Sequence, residues 1–156
     1  TENPSFAGDK TSNILLASNT IEISDTSAAS PTGEYLFATE VDTATVRSAR
    51  ITGARTFTRA FDGGSLLWDG IPQNWDTWPD NFDDWTNESA TFGDVGVQVY
   101  VSATDDDPAG TPTWGSYVPA NGAYVQGRAF RFKAVLDSDN ATFTPNITEL
   151  SVTVSY

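Results

Sequence analysis

The sequence predicts an all-β protein, an antiparallel β-sandwich of the jelly-roll, galactose-binding-like type. Three observations lead there. Apolar and polar residues alternate in several segments, clusters of Ser, Thr, Gly, Pro and Asp separate those segments, and no window carries a three-to-four apolar period with helix caps. Alternation is the mark of a strand with one buried side, because successive side chains point to opposite faces of a sheet.

Residues 1–30 are thin in aromatics and rich in Ser, Thr, Asn and Ala, and are expected to form an arm, a linker or an edge strand ahead of a sandwich domain over 31–156. Within them, NILLA near 13 and TIEIS near 20 have strand character. EYLFATEV near 34 follows, and then ATVRSARITGARTFTRAF from 44 to 61, as one long strand or two around Gly53. The second half is clearer. In VGVQVYV, Val95, Val97, Val99 and Val101 face one way. In RAFRFKAVL, Phe130, Phe132, Ala134 and Leu136 share a face opposite Arg131 and Lys133. The closing LSVTVSY sets Leu150, Val152, Val154 and Tyr156 against Ser151, Thr153 and Ser155.

A length of 156 residues suits one domain with a real hydrophobic core, and 38% apolar residues with nine Phe, five Tyr and five Trp mark a chain that folds. No apolar run approaches the ~18 residues of a membrane span, so no membrane insertion is expected. Cys and His are both absent, which excludes disulfides, Cys nucleophiles, Ser-His-Asp triads and His-ligated transition metals. Met is absent even at position 1, and the expectation is that Thr1 lies inside a longer chain. A net charge of −13 works against nucleic acid, whose binding depends on Lys and Arg displacing counterions. Eleven acids and no base lie between Arg59 and Arg128. Four of the eight bases stand just before that gap and three just after it, so the flanking strands are expected to lie near the acidic middle and offset it.

FDGGSLLWDGIPQNWDTWPDNFDDW, residues 61 to 85, sets an aromatic beside an aspartate four times at a spacing of seven: Phe61-Asp62, Trp68-Asp69, Trp75-Asp76 and Phe82-Asp83. Glycines and prolines rule out a coiled coil. Two readings stay open. A sugar ring stacks its C–H face on an indole while its hydroxyls bond carboxylates, which makes Trp68, Trp75, Asp76, Trp78, Asp80 and Trp85 candidate ligand-binding residues. Alternatively the tryptophans fold back as a plug over one end of the sandwich, with the aspartates taking turn amides. Trp114 and Tyr117 complete the candidate ligand set from the loop of 105 to 117. Clustered acids also suit a hard cation, and Asp80, Asp83, Asp84, Asp105 and Asp107 are the candidate Ca²⁺ ligands, although neither run follows the Ca²⁺-loop pattern. Two-carboxylate glycoside hydrolysis is the catalytic alternative, but no one pair of acids stands out; the expectation is a protein that is not an enzyme and has no cofactor beyond Ca²⁺.

From residue 97 to 156 the sequence resembles the C-terminal region of phage tail-tip host-specificity proteins, the tip attachment protein J group. The matching marks are the TDDDP turn at 104–108, Pro112 and Trp114, the G-x-Y of Gly122 to Tyr124, GRAFRFKAVL and the Ser and Asp that follow it from Gly127 to Asp139, and P-x-I-x-x-L-x-V-x-V from Pro145 to Val154. SARITG and the W-D and F-D steps match more loosely, and the first 40 residues are not covered. The pattern departs after Tyr117, where Val118-Pro119 stand in place of a second aromatic pair. The resemblance implies a distal, extracellular domain of the phage tail, built as a homotrimer with other virion subunits, that meets the host surface. Joined to the aromatic-acidic loops, it gives the expected function: non-catalytic recognition of a host-surface glycan or outer-surface protein. The alternative is a purely structural virion domain, a spacer or trimer-packing unit.

Overall fold

The computed structural model describes residues 6–17, 19–26, 31–61, 95–138 and 143–156, with backbone alone at 54, 56–61 and 143. Among these residues nine strands form one antiparallel sheet: β1 (Asp9–Lys10), β2 (Ile14–Ala17), β3 (Thr20–Ile23), β4 (Thr32–Leu36), β5 (Val41–Phe61), β6 (Val95–Thr104), β7 (Val118–Pro119), β8 (Tyr124–Ser138) and β9 (Phe143–Ser155). No helix occurs among the described residues. The all-β antiparallel fold read from the alternation is the fold observed, and 44–61 belongs to one long strand rather than two. β1, β2 and β3, from the stretch expected to be an arm, linker or edge strand, join the same sheet.

β8 is the hub. One edge pairs with β6 from Ala129 to Ser138. The other pairs with β4 over Lys133–Asp137 and then with β5 over Tyr124–Phe130. β9 lies on the far side of β5, then β3 and β2. The sheet comes round almost into a barrel, because the residues between β1 and β2 reach β4: Thr11 N donates to Glu34 O at 3.0 Å and Asn13 Nδ2 to Thr32 O at 3.1 Å.

The inward faces are those the period-two pattern assigns. Val97, Val99 and Val101 of β6 and Phe130, Phe132, Ala134 and Leu136 of β8 are buried with Ile21, Tyr35, Ile51, Ile147 and Leu150 in one core. Tyr156 departs from the pattern: it is 70% exposed, because β9 ends at Ser155 and the ring lies beyond the sheet against Arg47, 5.2 Å from guanidinium carbon to ring centre.

The N-terminal segment is held by close approach. A Cβ on Gly8 would stand 1.8 Å from Leu36 O, so only glycine lets β1 lie this near β4. Gly8 N then donates to the buried Tyr35 hydroxyl at 2.9 Å, which gives both groups a partner out of water.

Candidate functional site

β8 changes partner between its last pair with β4, Leu36↔Lys133, and its first with β5, Val41↔Phe130. Arg131 and Phe132 lie in that gap, and the β4–β5 connection, residues 37–40, loops away from the ladder. Phe37 N donating to Phe132 O at 3.1 Å is the bond that starts the loop. The result is a cleft of about 500 Å³ lined by Gly8, Asp9, Phe37, Glu40, Tyr117 and Arg131 among others. That volume falls within the range of small-ligand sites, roughly 300–1,000 Å³.

One wall of the cleft is built by the loop of 105 to 117, which is fastened to the end of β6. Ser102 Oγ donates to Gly115 O at 2.7 Å, Gly115 N to Ala103 O at 2.9 Å, Thr104 Oγ1 to Thr113 O at 2.9 Å, and Thr113 N to Asp106 Oδ2 at 2.8 Å. These bonds bring Trp114 and Tyr117, both half-buried, over the outer face of β8. There the guanidinium carbon of Arg131 is 4.5 Å from the Trp114 ring centre and 5.2 Å from that of Tyr117. Lys133 Nζ is 4.7 Å from the Tyr117 ring centre and 6.0 Å from that of Tyr100. Cations over ring faces are worth about 0.5–2 kcal/mol each according to desolvation, so the ladder pins the loop to the sheet.

The two basic residues differ. Lys133 is paired with Glu34 Oε1 at 2.6 Å. Arg131 has no ion pair among the described residues, and its Nε is buried without a hydrogen-bond partner. The ring faces beside the guanidinium balance part of its charge but are poor acceptors for its N–H groups.

Of the predicted ligand residues, Trp114 and Tyr117 are brought together on Arg131, while Trp68, Trp75, Asp76, Trp78, Asp80 and Trp85 lie outside the described residues. Of the predicted metal ligands, Asp80, Asp83 and Asp84 also lie outside them. Asp105 and Asp107 sit in the turn after β6. Asp107 Oδ1 accepts from Ala109 N at 3.0 Å and its Oδ2 meets Arg128 Nη2 at 2.9 Å. Among the described residues no three acidic side chains converge in a way that could hold a metal ion. Sequence reasoning missed Arg131, Asp9 and Glu40. The signal for Arg131 was its place on the outward face of β8, but nothing in the sequence shows which groups fold over it.

Arg128 ties this turn to the start of β5. Its Nε meets Asp42 Oδ1 at 3.3 Å, beside the irregularity where the β5–β8 register shifts between Asp42 and Arg47. Of the bases flanking the acidic middle, Arg128 is thus one that reaches an acid of it. The Ala44 amide and then Arg128 hold the Asp42 carboxyl below its ordinary range. A lowered carboxylate pKa stabilises the fold above the unfolded value, and the contribution is lost as pH falls through the folded one. Melting temperature is therefore expected to fall with acidification below about pH 4, with Asp42→Asn showing a shallower fall; thermal scans of both proteins check it, and equal slopes would remove Asp42 from the acid response.

No family model, curated protein or solved structure matches this chain.

Proposed function

We propose that this chain is a non-catalytic adhesion domain of a phage tail tip, carried outside the cell on the virion and holding a host-surface glycan or outer-surface protein. The observation that supports the reading best is the anchoring of Trp114 and Tyr117. They stand on a loop fastened to β6 and clamped over Arg131, at the border of an open cleft that mixes carboxylates, a guanidinium and apolar surface. Pre-organised aromatic and polar groups of this kind lower the ordering cost of binding. The same loop lies in the part of the sequence that resembles tail-tip host-specificity proteins. A single domain would bind weakly, and copies arrayed on a trimeric tail would multiply the effect.

The test is binding of the chain displayed in several copies to a glycan array and to intact host cells, with calcium and with chelator. Saturable retention on a defined glycan or on cells is expected. Retention on neither, or release of sugar from purified polysaccharide, would overturn the reading.

A second reading, a structural virion subunit, is favoured by one observation. Leu15 and Leu16 are 46% and 39% exposed on β2, whose outer edge has no strand partner among the described residues. Such an edge suits packing against another subunit. Sedimentation of the chain separates the two: a stable trimer that loses assembly with Leu15→Lys, and no ligand, favours the structural role.

A further inference from the structure

We propose that the cleft at the β4–β8–β5 junction is a subsite for one sugar ring that carries no carboxylate, with Asp9, Glu40 and Arg131 as its polar contacts. The inference rests on the adhesion reading and narrows its ligand. Asp9 comes from β1, Glu40 from the β4–β5 connection and Arg131 from β8, so three separate parts of the chain converge on one cavity. Neither Asp9 nor Glu40 has a side-chain hydrogen bond or ion pair among the described residues, and Arg131 is the one of the two outward bases of the ladder left without a carboxylate. The carboxylates can only accept and the guanidinium can only donate. Hydroxyl groups do both, and a sugar carries them round its edge while offering C–H surface to the half-buried Phe37 and Tyr117. A lone metal ion would gain from the two acids and lose to Arg131.

The charge balance selects among sugars. With two acids and one base the cavity is net negative, inside a chain of net charge −13. A uronic acid would add a further negative charge to that field. A ring without a carboxylate escapes that repulsion.

The experiment uses the 156-residue chain, labelled with nitrogen-15, near neutral pH. It is titrated with methyl glucoside, methyl galactoside and N-acetylglucosamine, and in parallel with glucuronate. At least one of the three uncharged sugars is expected to move the amide signals of Gly8, Glu40 and Arg131 saturably, ahead of glucuronate. Glu40→Gln and Arg131→Lys, checked by melting to be folded, are each expected to weaken that binding about three- to tenfold, the cost of one lost or misplaced hydrogen bond. Tighter binding of glucuronate, no shift with any sugar, or variants that bind like the parent would overturn the subsite. If the multivalent chain still captures a glycan while both variants capture it equally well, the subsite falls and the adhesion reading stands. If the multivalent parent captures neither glycan nor cells, the adhesion reading falls with it.

Discussion

Phe130→Ala is expected to destabilise the fold by about 3–5 kcal/mol, the range for removing a large aromatic from a packed core. Phe130 is fully buried and sits where three strands meet: its backbone pairs with Val41 of β5 on one edge and Ala103 of β6 on the other. It is also the first β8 residue to pair with β5 beyond the gap left by β4, so the cavity left by truncation adjoins the place where β8 changes partner. For a chain of this size each kcal/mol moves the melting point by about 2–4 °C, so a fall of roughly 10 °C is expected. Tyr124→Ala is the control, since that ring is 76% exposed on the same strand and should change stability by no more than about 0.5 kcal/mol. Denaturant unfolding of the three proteins measures both. Equal losses in the two variants would show that the inward face of β8 has been misassigned.

That face was legible in the sequence because side-chain direction in a strand has a period of two and the core selects one phase of it. Val97, Val99 and Val101, and Phe130, Phe132, Ala134 and Leu136, needed no knowledge of their neighbours to be placed inward. What was not legible depends on distant partners. β1 and β7 are two-residue strands, Asp9–Lys10 and Val118–Pro119, too short to carry a pattern; they exist because β4 and the middle of β6 offer them a place to pair. The change of partner along β8 follows from chain reversal at 37–40, which no local alternation encodes. The candidate site was half legible for the same reason. Trp114 and Tyr117 were singled out as aromatic residues in a polar loop, but their meeting with Arg131 depends on Ser102, Thr104 and Asp106 folding that loop onto β6. Asp106 and Asp107, in an acidic run suggestive of a cation site, serve as acceptors for Thr113 N and Ala109 N, the ordinary use of aspartate in turns.

Gly127→Val is expected to destabilise by about 1–3 kcal/mol or more, through crowding rather than a cavity. A Cβ at this buried glycine would lie 2.9 Å from Ala103 Cβ and 3.0 Å from Thr104 O. The second neighbour is backbone, and it cannot rotate away. The end of β6 would have to shift, and the cost would spread beyond the strand, because Thr104 Oγ1 accepts from Asp106 N and donates to Thr113 O. Loosening Thr104 frees the loop that carries Trp114, so the side-chain N–H signal of Trp114 is expected to move toward its value in an unfolded chain while signals from β9 stay in place. A double-mutant cycle with Ala103→Gly isolates the cause. Ala103 Cβ is the closer of the two neighbours, so removing it should return part of the stability lost in Gly127→Val, a non-additive result for residues in contact. Strictly additive losses, or a Trp114 signal unmoved by the valine, would mean that the loop is held by something other than the end of β6, and the cleft would lose the wall on which Tyr117 stands.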